Sequence, residues 1–238
     1  MGCESSVEVL NVPLIAQTQR VIAIDPNFCK SRVVTLQVQR HFLSSTTTIR
    51  DLTTGTDVFG IKSSSFSSRK TLLNHDKSPI VNYKIKTAFF SHKPTYRVYA
   101  GNTQSMNLFE IYAKYDRRDR TELRVEITDA FTDQHYSFDL KGDWHHRHAF
   151  IWLERNRSGV REPVARVHCP QGVARNDYHL DVAPNVDIAL MVMICDALAM
   201  EESRVENSRS SSIGGAADAH SIAVNHATCT SATAGCAM

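Results

Sequence analysis

Near its C-terminal end the chain carries VDIALMVMICDALAM, Val186 to Met200, apolar on nearly every side yet holding Asp187 and Asp196. A surface helix shows one apolar stripe. A segment greasy all round must be surrounded, by lipid or by protein. Pro184 ahead of it suits a first helical turn, and Asp187 stands near the positive end of the helix dipole. About sixteen residues of helix are therefore predicted, on the order of 24 Å long. A membrane span needs about 20 apolar residues, and the uncharged run between the aspartates is eight residues, Ile188 to Cys195. Enclosure by protein follows. The two aspartates should lie on opposite sides of the helix, near its opposite ends.

What encloses it is legible upstream. From about Val33 to about Asp181, apolar and polar residues alternate with period two between short polar turns, the pattern of a half-buried antiparallel sheet. In TELRVEIT, Leu123, Val125 and Ile127 share one face while Glu122, Arg124 and Glu126 share the other. VNYKIK repeats this with Val81, Tyr83 and Ile85 inside and Asn82, Lys84 and Lys86 outside; TLQVQ and YRVYA follow the same logic. Gly55, the NHDKSP run around Asp76 and the NRSG run around Gly159 supply the residues that hairpin turns need.

Counting segments gives roughly twelve strands at about ten-residue spacing, a barrel or a sandwich. A twelve-stranded barrel is wider than the eight-stranded one that side chains alone can fill, and a helix about 10 Å across fits the extra space. The fold expected is mainly β: a closed twelve-stranded antiparallel β-barrel enclosing a C-terminal hydrophobic α-helix. Val186, Leu190, Met193, Ile194 and Leu198 mark the enclosed helix, and the aspartates sit at the barrel mouths, met by water or backbone donors. The alternative is a helix laid against an open sheet.

Three segments are expected: residues 1–20 as an N-terminal segment, 21–202 as the barrel domain, and 203–238 as a disordered tail. The tail is rich in Ser, Ala and Gly and offers few large apolar residues to offset its ordering entropy. A net charge of +2 gives no electrostatic case for nucleic acid. The six cysteines lack CxxC spacing and no apolar signal segment opens the chain, so free thiols in an intracellular, cytoplasmic monomer are expected.

Several spaced blocks resemble the LURP-one-related family of the Tubby-like C-terminal superfamily, which also contains the phospholipid scramblases. They are FCKSRVVTLQVQR (Phe28 to Arg40), the run from Thr48 to Val81, YRVYAG (Tyr96 to Gly101), DLKGDW (Asp139 to Trp144) and DYHLDVAPNVDIALMVMICDAL (Asp177 to Leu198). The resemblance spans about Val21 to Met200. It implies a twelve-stranded barrel around a hydrophobic helix and brings no catalytic residues. Asn185 stands where the family usually has Gly, a mild departure because Asn tolerates unusual φ.

Chemistry-bearing motifs are sparse. MGCESS fits the N-myristoylation pattern at Gly2, with Cys3 beside it as a palmitate acceptor, and two acyl chains would anchor the chain where one holds only weakly. Lys84, Lys86, Arg117, Arg118, Arg120 and Arg124 are candidate contacts to anionic lipid, though Asp116, Asp119 and Glu122 interrupt them. DWHHRH, Asp143 to His148, carries three imidazoles without a second close ligand pair, so no metal is expected. GxSxG, GxxxxGK[ST], GxGxxG and HExxH are all missing, and a helix that fills the barrel removes the usual substrate cavity. The expectation is a non-catalytic module without cofactor that binds a phospholipid membrane surface, or alternatively a soluble protein-interaction module without lipid binding.

Overall fold

The computed structural model describes residues 12–40, 46–64, 69–86, 95–116, 120–128, 132–170 and 177–227. Twelve strands follow in chain order: β1 (Val34–Arg40), β2 (Thr46–Asp51), β3 (Thr56–Ser63), β4 (Arg69–Asn74), β5 (Pro79–Lys86) and β6 (Thr95–Ala100), then β7 (Asn107–Asp116), β8 (Arg120–Thr128), β9 (His135–Asp143), β10 (His148–Arg155), β11 (Arg161–His168) and β12 (Tyr178–Val182). Each pairs antiparallel with its sequence neighbour, and β1 closes on β12 to complete the barrel.

Alternation decides which side chains face in. Leu123, Val125 and Ile127 on β8 are buried, as are Leu36 and Val38 on β1, Val81 and Tyr83 on β5, and Tyr96 and Val98 on β6. Ile85 is half-buried and Lys84 exposed. Asn82 departs from expectation. It is fully buried on the outer side because the turn after β6 folds over it, and its Nδ2 donates to the carbonyls of Gly101 at 3.0 Å and Thr103 at 2.7 Å. Register shifts at Ile49/Arg50, Leu72/Leu73, Val98/Tyr99 and Ile151/Trp152 mark bulges, which bend strands toward closure.

The expected turns form. Gly55 takes φ 69°, Lys77 φ 66° beside Asp76, and Gly159 φ 78°. Asp76 accepts from the Ser78 amide and hydroxyl. Asn185 adopts φ 65° just before the helix, a left-handed conformation Asn accommodates better than most residues.

Helix α1 (Ile188–Ala227) begins inside the barrel. Val186, Leu190, Met193, Ile194 and Leu198 are fully buried, so the segment that the sequence places in the interior occupies it. Its N-terminus is held by a strap, residues 12–30, that crosses one barrel end. The Ile15, Gln17 and Val21 amides donate to the Pro163, Pro184 and Asn185 carbonyls. Asp187 ties strap to helix: its carboxylate accepts from the Ala23, Ile24 and Asp25 amides on one side and from those of Ala189 and Leu190 on the other.

Two compact units divide the chain after Leu198. In the second, where composition leads to an expectation of disorder from residue 203, the helix continues through Ala227. That expectation weighed the lack of large apolar residues, which limits packing, whereas local helix formation depends on propensity, and Ser203 to Ala227 holds Ala, Glu and Arg and no Pro. The Ser203 hydroxyl donates to the Ala199 carbonyl and Arg204 pairs with Glu201 at 2.6 Å. Residues 228–238 lie outside the described residues.

Candidate functional site on the barrel exterior

With the helix inside, surface open to a partner is on the wall and ends of the barrel. Around Asp196 the interior polar groups serve one another. Arg40, Lys70 and Tyr83 occupy inward positions of β1, β4 and β5, in step with Val38, Leu72 and Val81, and converge on Asp196. Lys70 Nζ donates to both carboxylate oxygens, at 3.0 and 2.8 Å, Arg40 reaches it at 3.5 Å, and the Tyr83 hydroxyl donates as well. Burial opposes the Asp196 charge, but Lys70 and Arg40 outweigh it and hold the carboxyl below its usual range. Burial, reinforced by that charge, pushes the Tyr83 phenol well above its usual value. The expectation of water or backbone donors therefore holds in part at Asp187, where the donors are backbone amides, and fails at Asp196, where they are side chains of the wall.

At Asp187 burial raises the carboxyl to about 6 even though five amides favour its charge. On the outer wall, Asp181 accepts from Thr35 and Arg166 and faces His168 at 3.2 Å. Burial acts against its charge, yet these partners bring it to about 2.

The outer face over β2 to β5 carries two adjoining depressions. Gly60 holds an outward position of β3 between Thr48 and Leu73, and a Cβ there would meet only the Thr47 carbonyl at 3.9 Å. The missing side chain opens a depression of about 520 Å³, joined at Lys62 and Leu73 to a second of about 510 Å³ lined also by Arg69, Thr71, Pro79 and Asn102. Register extends the cations sideways: Arg69 pairs with Lys84, and Lys84 with Arg97. Arg97 is bonded to Glu110 at 2.6 Å, and Glu126 follows on β8.

Of the lipid contacts read from sequence, Lys84 is exposed on β5 and joins this basic row. Arg124 is exposed on β8, beyond β6 and β7, and pairs with Glu126 at 2.9 Å. Lys84 and Arg124 are thus roughly 14 Å apart by strand spacing, with Glu110 and Glu126 between them. Gly2, Cys3, Arg117 and Arg118, and the side chains of Lys86 and Arg120, lie outside the described residues. The neighbours of Lys84 on that wall, Lys62 and Arg69, were missed because they come from two other strands. The inward cations Arg40 and Lys70 did carry a signal, each standing where the alternation calls for an apolar residue.

DWHHRH forms the β9–β10 connection. Trp144 is buried, and the Arg147 guanidinium lies 4.7 Å from its ring centre and 5.8 Å from that of Tyr178. His145 and His146 are exposed, with His146 bonded to Asp143. Among the described residues no three His, Cys, Asp or Glu side chains are arranged to hold a metal ion, and no described helix is long and apolar enough to cross a membrane.

The family model described as LURP-one-related matches residues 34–199. An X-ray structure of a protein from Arabidopsis thaliana is similar in fold, with a TM-score of 0.52 at 20% identity over 75% of this chain and 96% of that one. A search of curated proteins finds no match.

Proposed function

The chain belongs to the LURP-one-related family, and on that footing we propose that it is a non-catalytic module that associates from the cytoplasm with an anionic phospholipid surface. The carrying observation is the basic wall groove: Lys62 and Arg69 flank an open depression and Lys84 stands beside Arg69, while the barrel interior is filled by the helix. Ammonium and guanidinium groups on an exposed wall are attracted to the negative surface potential of such a leaflet at about 1 kcal/mol each. Gly2 and Cys3 would add acyl chains, turning a weak electrostatic contact into a lasting one.

Sedimentation of the unacylated full chain with vesicles tests the groove. Binding to phosphatidylcholine/phosphatidylserine vesicles, absent on pure phosphatidylcholine and weakened by Lys62→Glu with Lys84→Glu, is expected. Equal binding to neutral vesicles would remove the electrostatic basis. No binding to either would favour a soluble protein-interaction module. In cells, loss of membrane association in Gly2→Ala would assign the anchor to the N-terminus.

A further inference from the structure

Exposed apolar side chains scattered singly over a surface are ordinary and mean nothing. Here they are not scattered. Six large hydrophobic residues are exposed among those described, and five belong to one end of the barrel. Leu52 is in the β2–β3 turn, Met106 in the β6–β7 turn and Val160 in the β10–β11 turn; Val33 immediately precedes β1 and Ile15 is on the strap. Met106 and Val160 are 60% and 65% exposed. The sixth, Tyr112, stands on the wall of β7.

Cations alternate with these tips. Arg20, Lys30, Arg32, Lys77 and Arg157 are exposed at the same end, against Asp76, Asp133 and an Asp57 already paired with Arg50 at 2.8 Å. Apolar tips ringed by positive charge match the boundary between headgroups and acyl chains, where an apolar body is buried and a cation stays among phosphates. The chain also enters here. Gly2 is ten residues ahead of Val12, within roughly 35 Å of it at full extension. Both wall depressions reach this rim, through Asn74 to Lys77 on one side and Pro79 with Asn102 on the other.

We infer that the barrel docks end-on, with the rim formed by the strap and the β2–β3, β6–β7 and β10–β11 turns set among the headgroups of an anionic phospholipid bilayer. This rests on the membrane reading above and adds which face meets the lipid. In that pose the turn tips reach the acyl boundary and the groove opens toward headgroup phosphates.

The test uses the unacylated full chain and phosphatidylcholine/phosphatidylserine vesicles carrying brominated acyl chains. Tryptophan replaces Met106, Val160, the wall residue Tyr112, or Ser64, which is exposed just past β3 at the other end, and quenching is read against the parent chain with its native Trp144 and Trp152. Quenching of the Met106→Trp and Val160→Trp emission, with Tyr112→Trp and Ser64→Trp unaffected, is expected. The double variant Met106→Asp/Val160→Asp should bind at least tenfold more weakly with an unchanged melting curve, since both side chains project into solvent. Quenching at Tyr112→Trp or Ser64→Trp instead, or undiminished binding of the double variant, overturns the end-on pose and leaves the membrane reading standing. Absence of binding to any vesicle overturns both.

Discussion

Lys70 Nζ lies 2.8 Å from Asp196 Oδ2, joining the fourth barrel strand to the enclosed helix. Asp196 is 3% exposed, so its charge depends on Lys70, Arg40 and the Tyr83 hydroxyl in place of water. Removing one partner of a buried pair leaves the other stranded, at about 3 to 5 kcal/mol. Asp196→Leu, which strands two cations, should lose about that much in urea unfolding followed by tryptophan fluorescence. Lys70→Met should lose less, because Arg40 and Tyr83 still serve the carboxylate. The double variant should fall short of the sum, since the two residues share one interaction.

The helix tests the enclosure itself. Leu190 and Ile194 are fully buried among barrel side chains, and truncating such a residue to Ala costs about 2 to 5 kcal/mol. Leu190→Asp and Ile194→Asp introduce an unpaired buried charge and should abolish cooperative folding. A soluble Leu190→Asp protein with a sharp melting transition would contradict a helix held inside a closed wall.

Two backbone positions admit few residues. Gly142 has φ 131°, and a Cβ there would meet the His148 carbonyl oxygen at 2.4 Å and the Ala149 Cα at 2.7 Å, both backbone atoms of the paired strand. Gly142→Ala should cost more than about 3 kcal/mol or yield insoluble protein. Asn185 at φ 65° also donates from its Nδ2 to the Gln17 carbonyl at 2.7 Å. Asn185→Val should lower stability by about 2 kcal/mol, whereas Asn185→Gly keeps the backbone and loses only the strap contact. Thermal melting ranks the three.

Two aspartates act on stability in opposite directions as pH falls. Asp187 titrates near 6 when folded, above the roughly 3.9 of an unfolded chain. The folded chain therefore holds the extra proton between about pH 4 and 6, and stability rises as pH falls through that window, by about 3 kcal/mol. Asp181 titrates near 2, so its contribution is present above about pH 4 and lost as pH falls toward 2. Allowing for partial solvent screening, that loss is about 1 to 2 kcal/mol. Urea titrations across pH should show the first slope vanish in Asp187→Asn and the second in Asp181→Asn; unchanged slopes would detach these carboxylates from the pH response.

The enclosed segment and the wall around it were legible because each is written in local periodicity. Leu123, Val125 and Ile127 alternate as an inward face must, and Ile188 to Cys195 has no polar side for water. A barrel of the roughly twelve strands counted from that alternation then had room for one helix. Asn82 was misread because a period-two pattern knows which face a residue takes and nothing of a later turn that covers that face.

Tertiary structure alone decided who meets whom. Arg40, Lys70, Tyr83 and Asp196 come from four separate elements, and the five apolar tips from three turns, the residue ahead of β1 and the strap. Their convergence depends on strand register and on barrel closure through β1 and β12. Local alternation fixes only the side of the sheet for each residue, whereas closure sets position along and around the wall. The burial of one charge cluster and the shared rim of exposed tips are therefore properties of the closed barrel, held by pairings between residues far apart in the chain.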